Sequence, residues 1–120
     1  AMEALVEARE QKVVRFLGLT GHHRPDSLME GIRRFPFDAA LVALNAADRH
    51  HHSFMTELLP LLVEKQMGVI GMKILGEGQL SNAVDRAIAH AVALDSIDAF
   101  TIGFTSNTQL DQVMQKIATV

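Results

Sequence analysis

Two textures alternate along the chain. Val13, Val14, Phe16, Leu17 and Leu19 form a nearly continuous apolar run that stops at Thr20-Gly21-His22. Ala39–Asn45 (AALVALN), Gly68–Leu75 (GVIGMKIL) and Ala99–Phe104 (AFTIGF) repeat that texture. Short runs apolar on both sides suit strands of a parallel sheet covered by helices. Between them the apolar residues recur at helical spacing. Met2–Lys12 opens the chain as a helix with Leu5, Val6 and Ala8 on one side. A second helix starts at Pro25 and carries Leu28, Met29, Ile32 and Phe35; a third, Phe54–Gln66, carries Leu58, Leu59, Leu61 and Leu62. Leu80–Leu94 has stripes of Ala83, Ala87, Ala91 and of Val84, Ile88, Val92; a last helix ends at Ile117, with Leu110, Val113, Met114 and Ile117 expected inward.

Local signals set the boundaries. Pro25 suits a first helical turn, where its missing N–H costs nothing. Ser53, with Thr56 three residues on, is a candidate cap, and Pro60 is expected to bend that helix or delay its start. Thr105-Ser106-Asn107 is expected to cap the last helix. The order is one helix followed by four βα units, with strands spaced roughly 24 to 31 residues apart, near the minimum for a βαβ unit. Strict alternation predicts a parallel sheet with right-handed crossovers in one α/β domain spanning residues 1–120. In such sheets ligands meet the loops beyond the carboxyl ends of the strands, here first at Thr20, Gly21 and His22.

Composition narrows the function classes. With 48% hydrophobic residues and three prolines the chain is expected to fold. Net charge is −3 with acids and bases scattered, which predicts no nucleic-acid partner and no polybasic membrane contact. No apolar run approaches a membrane span, and no cysteine supplies a disulfide or thiolate site. A soluble, cytoplasmic protein is the expectation.

Four segments carry a family resemblance. Lys12–His22 (KVVRFLGLTGH), Phe37–Asp48 (FDAALVALNAAD), Met67–Gly78 (MGVIGMKILGEG) and Ala99–Met114 (AFTIGFTSNTQLDQVM) resemble, in order and spacing, the C-terminal half of an aldo-keto reductase. That family is an eight-stranded (β/α)8 barrel reducing carbonyl compounds with NADPH. The resemblance implies a TIM-barrel-like half-barrel supplying the last four strands. The family's catalytic Asp, Tyr, Lys and His belong to the other half, so no catalytic residue is expected here, and the chain contains no tyrosine. Implied cofactor-side positions are Thr20, Asn45, Met72, Lys73, Leu75, Gly103, Thr105, Ser106 and Gln109. Several are altered: Gly21 stands for the family's Asn, Leu41 for its Gln, Met72 for the Tyr under the nicotinamide ring, and Gln109 for an Arg on the 2′-phosphate. The resemblance therefore implies weak NADP or anion binding.

Other chemistry ranks lower. His50-His51-His52, with Asp48 and the neighbouring His22-His23, invites a metal, but consecutive residues point apart, so a solvated loop is preferred. His22 as a general acid lacks a nameable orienting partner. Lys73 reads as a snorkelling lysine before a phosphate ligand, His90 as a helix-surface or satisfied core histidine, and Met55, Met67, Met72 and Met114 as gap-filling core.

Four strands cannot close a barrel. By alternation Val14, Phe16, Leu41, Ala43, Ile70, Met72, Thr101 and Gly103 would face water, and both outer strands would present unpaired main-chain groups. A homodimer that completes eight strands through its edges, or a larger assembly of such dimers, is the expectation; an open sheet with edges covered by swapped helices is the alternative. The functional expectation is a half-barrel relative without reductase activity of its own. The competing expectation is the cofactor-side half of an active oxidoreductase that needs the missing N-terminal half.

Overall fold

A computed structural model describes residues 2–48 and 53–119. Four strands, β1 (Gly18–Gly21), β2 (Ala39–Ala43), β3 (Gly68–Met72) and β4 (Ala99–Phe100), lie side by side in that order, all parallel. Helices α1 (Met2–Glu10), α2 (Pro25–Arg34), α3 (Leu59–Glu64), α4 (Val84–Val92) and α5 (Asn107–Ile117) precede and follow them. This is the expected α/β half-barrel architecture.

One side of the sheet is packed. Ala40, Val42 and Val69 point to the helices and meet Leu28 and Ile32 of α2, and Leu58, Leu59 and Leu62 from the third crossover, in one buried cluster. Ile88, Ala87 and Ala91 are the buried stripe of α4. The opposite side carries the row Thr20, Leu41, Ile70 and Ala99, adjacent in register across all four strands and none of them buried.

Two aspartates fix the strand starts. The Leu17 N–H donates to Asp38 Oδ2 (2.7 Å) and the Val69 N–H to Asp98 Oδ2 (2.7 Å). The main-chain N–H groups of the same aspartates donate back to Leu17 O and Val69 O. Each carboxylate thus ties its own strand to the preceding neighbour in space and sets their register.

Helix ends are closed without glycine. Lys12 and Gln66 adopt left-handed backbone (φ 60° and 54°). Val13 N–H reaches Ala8 O and Met67 N–H reaches Leu62 O, completing a Schellman closure at each end. Ser53 accepts from Thr56 N–H as expected, but the third helix is not uniform. A π-helical turn over Phe54–Leu58 precedes α3, which begins at Leu59 with Pro60 in its first turn. Pro60 has no N–H to continue the earlier ladder.

Several elements are shorter than their apolar runs. The first strand, expected from Val13, begins at Gly18, because Asp38 anchors the chain only from Leu17 onward. Val13 and Phe16 are 73% and 67% exposed. The second and third strands end at Ala43 and Met72. The fourth ends at Phe100, after which Thr101 N–H makes one more bond to Gly71 O. The fourth helix starts at Val84 rather than Leu80, because Leu80 N–H bonds back to Leu75 O and Ala83 is not helical. Among the described residues of α5 only Val113 is buried; Leu110 and Met114 are exposed, and the main packing of this helix is on α4. Ala43 and Met72, expected to face water, are buried. His90 is half-buried, and its Nε2 meets no hydrogen-bond partner among the described residues.

Removing the Asp98 carboxylate strands the buried Val69 N–H. Asp98→Ala is expected to lower unfolding free energy by about 1–3 kcal/mol in urea titration, and Asp98→Asn, which keeps an acceptor, to recover much of it. Gln66→Gly relieves a left-handed backbone that costs a side-chain-bearing residue about 1–2 kcal/mol, so a higher midpoint of thermal unfolding is expected.

Candidate functional site

The carboxyl ends of the strands lead into loops that hold the chemistry. After β3 the chain turns sharply, with Lys73 (φ 56°), Gly76 (φ 56°), Glu77 (φ 57°) and Gly78 (φ 94°) all in the left-handed region. Side-chain-bearing residues held this way concentrate at ligand sites. The turn brings Lys73 Nζ to Glu77 Oε1 at 2.5 Å, with the lysine side chain 25% exposed. Hydrogen bonding from Lys73 and its charge hold the Glu77 carboxyl below the usual carboxylate range, with smaller contributions from His22 and His23 across the loop. Lys73 is therefore ion-paired in its own loop.

Two clefts divide the expected site residues. The smaller, about 290 Å³, is lined by Asn45, Asp48, Lys73, Gly76, Glu77 and Leu80, among others. Here Asn45 Oδ1 accepts from Ala47 N–H in an Asx turn (3.0 Å), and Asp48 accepts from Ser53 Oγ and Met55 N–H. The larger cleft, about 840 Å³, runs between α4, α5 and the loop after β4; Leu75, Gly103 and Gln109 line it.

At the head of the larger cleft stands the start of α5. Ser106 Oγ accepts from Gln109 N–H (3.3 Å), while Gln109 Oε1 accepts from both the N–H and hydroxyl of Thr105 (3.0 and 3.1 Å). This reciprocal arrangement fixes the loop and leaves the first-turn N–H groups of Asn107 and Thr108 without intrahelical acceptors, as at any helix start. A helix N-terminus carries partial positive charge. Arg86 and Lys116 add two cations to the lining, with Lys116 ion-paired to Asp85 across the α4–α5 boundary.

Thr20, Met72, Thr105 and Ser106 line neither cleft. The Thr20 hydroxyl donates to Leu41 O (2.8 Å), which leaves its lone pairs free to accept. Met72 is 7% exposed, so it offers little surface for a ring. Ser81, Asn82, Arg86 and Lys116 line the larger cleft and escaped sequence reasoning. Their signal was one of position: all belong to the βα loop and helices beside Gly103, with no motif of their own. The His50-His51-His52 run lies outside the described residues. Among the described residues no three His, Asp or Glu side chains come together as a metal site, and no helix is long and apolar enough to cross a membrane.

Comparisons with known proteins fit this geometry. No protein-family profile and no curated protein sequence matches the chain. Among solved structures it is similar to PA4992 of Pseudomonas aeruginosa, assigned to the aldo-keto reductases, with a TM-score of 0.75 and 17% identity over 96% of this chain. It is also similar to the aldo-keto reductase AKR11C1 of Bacillus halodurans in its holo form, with a TM-score of 0.77 and 17% identity over 96% of this chain. The chain spans only 41% and 48% of those two proteins. Its fold is that of half an aldo-keto reductase barrel.

The Lys73–Glu77 pair predicts a measurable titration. The Glu77 pKa is depressed on folding, so the pair adds stability above the ordinary glutamate pKa of about 4.3. That contribution is lost as pH falls through the depressed value. Carbon-detected NMR titration should place the Glu77 midpoint below the ordinary glutamate range, and Lys73→Met should return it toward that range.

Proposed function

We propose that the chain is a cofactor-side half-barrel of aldo-keto reductase type that binds the phosphate end of NADP weakly and reduces nothing by itself. The observation that carries this reading is the larger cleft, where Gln109 of the first turn of α5, Gly103, Arg86 and Lys116 line one space. Anions are favoured at a helix N-terminus, and close approach of a phosphate is easiest beside a glycine. Ser106 and Thr105 hold that loop in shape, and Leu75 supplies an apolar wall.

The residues fit the phosphate end of a dinucleotide and not its nicotinamide end. Thr20 keeps an acceptor for a carboxamide, but Gly21 brings no amide and Met72 is buried without a ring face. Gln109 spends its carbonyl oxygen on Thr105 and contacts a phosphate only through its amide. The reduced cofactor, NADPH, would supply the hydride when bound to a complete barrel; this chain's residues orient its phosphates. Carbonyl reduction also needs a proton donor against the developing oxyanion, and a chain with no tyrosine lacks the donor its resemblance calls for.

A second reading, the cofactor half of an active reductase, draws support from the partial coverage of the two solved reductases. One experiment separates the two. Titration of NADP into the isotopically labelled chain should shift the amide signals of Gly103, Ser106 and Asn107, and Arg86→Gln should weaken binding several-fold. NADPH with simple aldehydes should give no turnover. Unmoved signals would remove the binding claim; turnover by the chain alone would remove the claim of inactivity.

A further inference from the structure

The accessible surface of the chain is 7935 Å². A compact monomer of its 13.2 kDa mass exposes about 6,400 Å², so the excess is about 1,500 Å². The radius of gyration agrees: 15.6 Å, against about 13.6 Å for a compact domain of this length. The uncovered side of the sheet contributes to this surplus, together with α1, which buries no residue. Leu41 and Ile70 stand half-buried in its centre, Val14 and Phe16 project beside the β1 edge, and Phe104 follows the β4 edge.

We propose that a second copy of this chain covers this face, with the two-fold axis along the barrel, so that β1 of each copy lies beside β4 of the other. All eight strands are then parallel and both edges disappear. Area favours this occupant. The excess from both copies sums to at most about 3,000 Å², and burying little more than half of it reaches the roughly 1,600 Å² of an ordinary stable complex. Main-chain geometry supports the β1 edge. Leu17 directs its N–H and C=O toward Asp38, so alternation turns those of Gly18 and Thr20 to the open side.

The same geometry names the element that must give way. Each seam places α5 of one copy and α1 of the other over a single inter-strand gap, which holds one helix. Val113 of α5 is buried and α5 packs on α4, whereas α1 buries no residue. In the dimer α5 keeps the gap, covering its exposed Leu110 and Met114, and α1 moves outward.

Sedimentation equilibrium of the chain without nucleotide tests this, independently of whether the larger cleft binds NADP. The expected particle has twice the 13.2 kDa chain mass at micromolar concentration. Ile70→Lys places a charge in the closed interior and should halve the mass; Phe16→Ser, at a position already exposed in the single chain, should weaken association without altering the circular dichroism spectrum. Val63→Ser, on the outer face of α3, should leave the dimer intact. A folded monomer, or an open series of larger species, overturns the proposal. So does a dimer equally stable in Ile70→Lys and Phe16→Ser.

Discussion

The physical constraint on which everything else depends is that a parallel sheet has two faces to cover and this chain covers one. The helix side is finished: Val42, Val69, Leu44, Ile74, Leu58, Leu62 and Ile88 are all at or near full burial. The other side presents Leu41 and Ile70, half-buried, with no layer above them among the described residues. Strand length tracks this asymmetry. β2 and β3, flanked on both sides, run five residues each, whereas β4 is only two residues long. Edges without neighbours lose their ladder, and the apolar runs Val13–Leu17 and Thr101–Phe104 trail off beyond them.

That same asymmetry locates the chemistry. Loops at the carboxyl ends are shaped from within the chain, by the left-handed turn after β3, the Lys73–Glu77 pair and the Ser106–Gln109–Thr105 closure. None of these requires the missing layer. On the proposed reading, the phosphate end of a ligand site persists where the reacting end does not. The reacting end would sit over the open mouth, among Thr20, Leu41 and Met72, where walls on the far side are needed to exclude water and hold a proton donor.

The order of elements, the parallel sheet, the Ser53 and Ser106 caps and the role of Pro60 were legible because each depends on neighbours within a few residues. The ends of the strands were not. Val13 and Phe16 have strand-like composition, but a strand exists only where a partner pairs with it, and the partner is not written in the local sequence. Leu110 and Met114 misled in the same way: their spacing marks an apolar face without saying whether anything lies against it. Gly103 and Gln109, expected from the family resemblance, do line the larger cleft, while Ser106 caps α5 beside it. Arg86 and Lys116 were not legible, because they reach the cleft from two helices whose approach only the tertiary structure sets.

Hydrogen exchange at the outer edge gives the most direct test of this constraint. If the open face is closed by a second chain, the amides of Gly18 and Thr20 should exchange as slowly as those of Val42 and Val69 in the sheet interior. Exchange of Gly18 and Thr20 at the rate of an unstructured peptide, with Val42 and Val69 fully protected, would contradict it: a stable half-barrel would then be standing with its edge in water.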